Sequence, residues 1–302
     1  MKLALLAASG LSVILLAGCA TSPSATSGAD DRITVVASTN VYGDIASAIG
    51  GDLVDVTSII EDPSQDPHSY EGNARVQLAL SKADIVIENG GGYDEWAGTL
   101  LDGAGNETAA VLNASDISGY DQEPADGEFN EHVWYDFPTM EKLVTELAAQ
   151  LGEVDPDSAS TFNDNAARYV TALGELEDRA GTLAAVVNGA GVAITEPVPG
   201  YLLDAADFTN VTPDEFSEAI EEGTDVTPGV LLETLDLFAD GTATVLVYNE
   251  QTTGPETEQV LAAAEDAGTP VVGVTETLPN GLDYLAWMSA NLDALEAATV
   301  RP

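Results

Sequence analysis

One uninterrupted helical pattern lies in the middle of this chain, and it constrains every fold open to the rest. Between residues 156 and 187 the apolar positions Phe162, Ala166, Tyr169, Val170, Leu173, Leu176, Leu183 and Val187 return at helical spacing. Asp155 and Pro156 read as the N-cap and first turn, and Gly174 and Gly181 weaken the pattern only slightly. A helix that long between two α/β halves would be a stiff connector and not a flexible hinge. Residues 154–188 are therefore expected to form a stiff connector between an N-terminal lobe, 32–153, and a C-terminal lobe, 189–302.

Both flanks alternate short apolar runs with helical segments. The first half predicts strands over 33–37, 53–60, 83–88 and 109–112, with helices over 41–49, 74–80, 93–101 and 140–151. The second half predicts strands over 192–195, 244–248 and 271–274 and helices over 201–206, 213–222, 228–239, 255–267 and 284–297. Thr212-Pro213 and Thr227-Pro228 read as helix starts. The run Asn89-Gly90-Gly91-Gly92 lacks the Lys-Ser/Thr of a phosphate loop and reads as a turn. Such alternation gives an α/β fold: two lobes, each a mostly parallel sheet flanked by helices, joined by one long rigid helix.

Charge excludes several partners. With 8 basic and 52 acidic residues the formal net charge is −44. Phosphates of nucleic acid and anionic lipid headgroups would be repelled. The acids are spread through periodic segments, as expected of a solvated acidic surface suited to high salt.

The first residues read as a targeting signal. Lys2 precedes an apolar stretch over 3–16, too short for a convincing membrane span. It ends in Leu16-Ala17-Gly18-Cys19, which resembles the lipobox of bacterial and archaeal lipoproteins. That resemblance implies a signal peptide over 1–18, cleavage before Cys19 and a lipid anchor on it. Residues 19–31 would follow as a flexible tether. Cys19 is the only cysteine, so the mature chain has neither a disulfide nor a thiolate for a metal.

Chemistry concentrates at four loop positions. His68 and His132 are the only two histidines, and Glu196 and Asp283 follow strand-like segments in the second half. Loops beyond the carboxyl ends of parallel strands are where ligands bind. Two imidazoles and two carboxylates would neutralise a divalent cation and suit Mn²⁺ or Zn²⁺. Other readings stay open at this point. His68 could be a surface histidine in a turn, Glu196 a helix-start carboxylate and Asp283 the N-cap of the closing helix, and Glu276 and Asp293 rival Asp283 as the fourth donor.

The motifs around these residues resemble those of the metal-binding lipoproteins that serve manganese and zinc ABC importers. Asp66-Pro67-His68-Ser69-Tyr70-Glu71 and Glu131-His132-Val133-Trp134 resemble that family's first two ligand motifs. Thr195-Glu196-Pro197 and Gly281-Leu282-Asp283-Tyr284 resemble the third and fourth. The resemblance implies a transported Mn²⁺ or Zn²⁺ held by His68, His132, Glu196 and Asp283. It also implies delivery to an importer permease and its ATPase, a monomer anchored by Cys19 on the extracytoplasmic face, and no catalysis. Gly119 to Glu131 holds none of the histidines that zinc-specific members carry there, and glutamate at 196 resembles manganese sites. A metal-dependent surface adhesin is the alternative, and a zinc hydrolase a more remote one: nothing here resembles His-Glu-x-x-His.

Overall fold

The computed structural model describes residues 32–299 apart from 63, 66, 69 and 126. Cys19, the signal segment and the tether lie outside the described residues. Among those described, no helix is long and apolar enough to cross a membrane.

The first half runs β1 (Ile33–Thr39), α1 (Asn40–Gly50), β2 (Val54–Ile60), α2 (Ala74–Leu80), β3 (Ile85–Glu88), α3 (Glu95–Ala104), β4 (Ala110–Asn113) and α4 (Ala114–Ser118), closed by α5 (Phe137–Val154). After α6 (Ala159–Val187) come β5 (Gly191–Ile194), α7 (Gly200–Ala205), β6 (Thr209–Asn210), α8 (Asp214–Glu221) and α9 (Pro228–Ala239). The chain ends through β7 (Val245–Asn249), α10 (Pro255–Ala267), β8 (Val271–Val274) and α11 (Tyr284–Thr299). Each half builds a four-stranded sheet, ordered β2-β1-β3-β4 and β6-β5-β7-β8. Every pairing is parallel. In both sheets the chain moves outward on one side and then crosses to the other, so the carboxyl ends of β1 and β3, and of β5 and β7, form the switch points where ligands collect. The central strands are apolar on both faces, as covering helices require: all five residues of β7 are buried.

Helix α6 does more than connect. It contributes Phe162, Leu173, Ala180 and Leu183 to one apolar core that also takes in β1, α1, α5, β5, β7 and α11. Polar contacts cross between the halves as well. Asn40 exchanges two hydrogen bonds with the Leu278 backbone, at 2.9 and 3.0 Å. Tyr135 donates to the Thr275 carbonyl at 2.7 Å, and Tyr284 to the Trp134 carbonyl at 2.5 Å.

Several expected helix starts move. Helix α6 begins at Ala159: the Asp155 carboxylate instead accepts from the Asp157 backbone in a preceding turn, at 3.2 Å. Thr212 does not cap α8, because its hydroxyl faces the strand edge and accepts from the Ile194 backbone at 2.8 Å. Thr227 does cap α9. The glycine run is a turn with φ of +72°, +65° and +101° at Gly90, Gly91 and Gly92, and a Cβ on Gly91 would lie 2.5 Å from the Phe129 ring.

Candidate metal centre

Loops from both halves meet at a cavity of about 750 Å³ lined by His68, Asn130, Glu131, Glu196, Glu221 and Glu276 among others. His68 leaves the connection between β2 and α2. That loop is pinned where Trp96 Nε1 donates to the Pro67 carbonyl at 2.9 Å and Tyr70 packs on the Trp96 ring. The imidazole itself stands edge-on to Tyr93, centroids 4.8 Å apart.

His132 is fully buried between Tyr93 and Trp134. The Asn130 side chain fixes its protonation geometry. Asn130 Nδ2 donates to the Pro197 carbonyl at 3.0 Å, which turns its oxygen towards His132 Nδ1 at 2.8 Å. Nδ1 must then carry a proton, and Nε2 is the ring nitrogen left to face Glu221, 3.4 Å away.

The carboxylates come from the second half. Glu196 follows β5, is 3% exposed, and accepts from Asn249 Nδ2. Glu276 follows β8, is 7% exposed, and accepts from the same amide nitrogen at 2.8 Å and from the Tyr93 hydroxyl at 3.4 Å. Asn249, at the end of β7, thus ties together two buried groups of like charge. Burial first, then the charges of Glu221 and Glu276, push the Glu196 carboxyl up to about 8. Burial likewise raises Glu276, with the two histidines pulling the other way and Glu221 adding to the rise.

Among the described residues Glu221 lies nearest the imidazoles, and nothing in the linear pattern singled it out. From the last turn of α8 its Oε1 reaches 3.1 Å from His68 Nε2 and 3.4 Å from His132 Nε2. One donor atom from each of these three residues falls within 4.8 Å of the other two. For His68, burial works against the charged ring, yet the Glu221 carboxylate, helped by Glu131 and Glu276, outweighs it and raises the pKa to about 9.

Asp283 is not brought to this cluster. It is exposed at the far end of the β8–α11 connection, where its carboxylate accepts from the Ala286 backbone at 2.8 Å and caps α11. Asp293 is also spoken for, paired with Arg179 at 2.7 Å. Of the acids in this part of the chain, Glu276 is the one that faces the histidines, because it leaves β8 directly at the sheet's carboxyl edge.

Residues 35–298 match the family described as zinc-uptake complex component A, periplasmic. The chain belongs to that family. It is 27% identical over 288 residues to the manganese-binding lipoprotein MntA of Halalkalibacterium halodurans, covering 93% of each chain. It is 33% identical over 172 residues to the Bacillus subtilis protein of the same name, covering 56% of this chain and 55% of that one. The periplasmic zinc-binding protein TroA from Treponema pallidum shares the fold with a TM-score of 0.73 at 18% identity, over 89% of this chain and all of that one.

Proposed function

We propose that this protein is an extracytoplasmic solute-binding lipoprotein that captures Mn²⁺ or Zn²⁺ between its two lobes and passes the ion to an ABC importer. One observation carries the reading: His68 from the first half and Glu196, Glu221 and Glu276 from the second line a single cavity, and His132 Nε2 stands 3.4 Å from Glu221 Oε1. His68, His132, Glu196 and Glu276 are the proposed donors. Two neutral imidazoles and two carboxylates offset a divalent charge, which removes the cost of burying either sign alone. The names of the relatives, manganese-binding lipoproteins among them, support the class of cargo. They also support a lipid anchor, for which Cys19 is the candidate; a permease and its ATPase are the proposed partners, and the protein itself acts as a monomer. No reaction is assigned to the site: a catalytic zinc site keeps three protein ligands and an open position for water, and four donors are proposed here.

Elemental analysis of protein purified without chelator, followed by calorimetric competition between Mn²⁺ and Zn²⁺, tests the reading. Stoichiometric binding should be lost in His68→Ala and in His132→Ala. Near-native affinity for both ions in either variant would overturn the assignment.

A further inference from the structure

The two imidazoles and the carboxylates of Glu196 and Glu276, as proposed above, would make a four-donor site of the kind zinc accepts. The structure holds one carboxylate more, and among the described residues it is the closest carboxylate to the histidines. Atoms bound at about 2.1–2.2 Å to one ion stand about 3.0–3.5 Å apart, whether the angle is octahedral or tetrahedral. The 3.1 and 3.4 Å separations of Glu221 Oε1 from His68 and His132 Nε2 fall in that range.

Glu221 is also built to face inward. Its side chain is 12% exposed, whereas Glu222 beside it is exposed. Phe216, five residues earlier on α8 and so well round the helix from Glu221, is fully buried in an apolar cluster with Phe238, Leu246 and Val260, which leaves Glu221 on a different face. The placement goes against local physics. The last turn of α8 has no basic residue, and negative charge at a helix C-terminus opposes the macrodipole. An inward-facing acid at such a position is the sort of local conflict that functional sites sustain.

We propose that Glu221 is a fifth donor to the captured cation, making the site oxygen-rich and biasing it towards Mn²⁺ over Zn²⁺. This rests on the metal-capture reading above. Mn²⁺ is the harder ion and is served by added carboxylate oxygen, while Zn²⁺ is satisfied by four donors and gains little from a fifth. Helix α8 would then sense the ion directly, since one end of it supplies a donor.

Calorimetric competition with Mn²⁺ and Zn²⁺ on the full mature chain tests this, using wild type, Glu221→Gln, Glu221→Ala, Glu222→Gln and His132→Ala. Both Glu221 variants should weaken Mn²⁺ by about tenfold or more and Zn²⁺ by less than about threefold, with Glu222→Gln nearly unchanged for both ions. An unchanged Mn²⁺-to-Zn²⁺ ratio in the Glu221 variants would overturn the proposal. So would an equal loss in Glu222→Gln, which would mean that only net charge matters. Tighter binding of both ions without Glu221 would show a carboxylate that competes with the cation. Were wild type to bind neither ion, the capture reading would fall as well. Loss of binding in His132→Ala with native selectivity in the Glu221 variants would overturn the role of Glu221 alone.

Discussion

The amide oxygen of Asn130 lies 2.8 Å from His132 Nδ1, and the same side chain donates to the Pro197 carbonyl in the opposite half. A single residue therefore sets the tautomer of one proposed ligand and the position of the loop carrying another, Glu196. Outer partners of this type commonly account for about 10–100-fold in metal affinity.

Asn130→Ala should accordingly weaken Mn²⁺ and Zn²⁺ binding by about tenfold or more. Asn130→Asp keeps an acceptor for Nδ1–H but sets a carboxylate oxygen against the Pro197 carbonyl, so it should recover part of that loss. Calorimetric titration of the two variants checks this. Equal damage from both would mean that the Pro197 contact, and not the tautomer, is what matters.

Glu276 and Asp283 separate by function. Glu276→Gln should abolish tight metal binding, because the buried carboxylate faces both histidines. Asp283→Ala should leave affinity unchanged and cost about 1 kcal/mol of stability through the lost cap. Urea melts paired with metal titration distinguish the two, and a large affinity loss in Asp283→Ala would restore it as a ligand.

The two sheets and the long helix were legible because apolar periodicity switches between strand and helix along the whole chain. Helix α4 and strand β6, at five and two residues, are too short to leave a period. The start of α6 was displaced because Asp155-Pro156 satisfies a turn as readily as a helix start. His68 and His132 stood out because the chain has only two histidines. Glu276 was only one of three rivals for the fourth donor and Glu221 was not singled out at all, since they are two acids among 52. What distinguishes them is burial, which depends on how β8 and α8 pack and leaves no local mark.

The metal-free protein should lose stability as pH rises from about 5 to about 9. In the fold, His68 is raised from 6.5 to about 9 by Glu221 against the cost of burial, and Glu196 from 4.5 to about 8 by burial and neighbouring carboxylates. Both folded values exceed the unfolded ones, so the protonated forms are favoured in the fold. Their contribution is complete below the unfolded values and is lost as pH climbs through the folded ones. Metal must displace these protons, so affinity should climb over the same window while stability without metal declines. Thermal melts with and without Mn²⁺ across this range check the sign. A metal-free melting temperature that rises between pH 6 and 9 would contradict it.

The acidic surface leads to the last expectation. Eight basic residues cannot pair with 52 acidic ones, so most of the negative charge is balanced only by solvent ions. Among the described residues the ion pairs of Lys and Arg are few: Arg32 with Asp55, and Arg179 with Asp293 and Glu296. Repulsion among the remainder should destabilise the metal-free fold at low ionic strength. It should relax as the screening length falls from about 30 Å at 0.01 M salt to about 3 Å at 1 M. The melting temperature should therefore rise with NaCl or KCl over that range. Metal capture should slow over the same series, because the long-range attraction that steers cations to the cavity is screened. Stopped-flow association of Mn²⁺ alongside the melts separates the two effects. A melting temperature that is flat or falls with salt would mean that repulsion among the surface acids does not limit the stability of this fold.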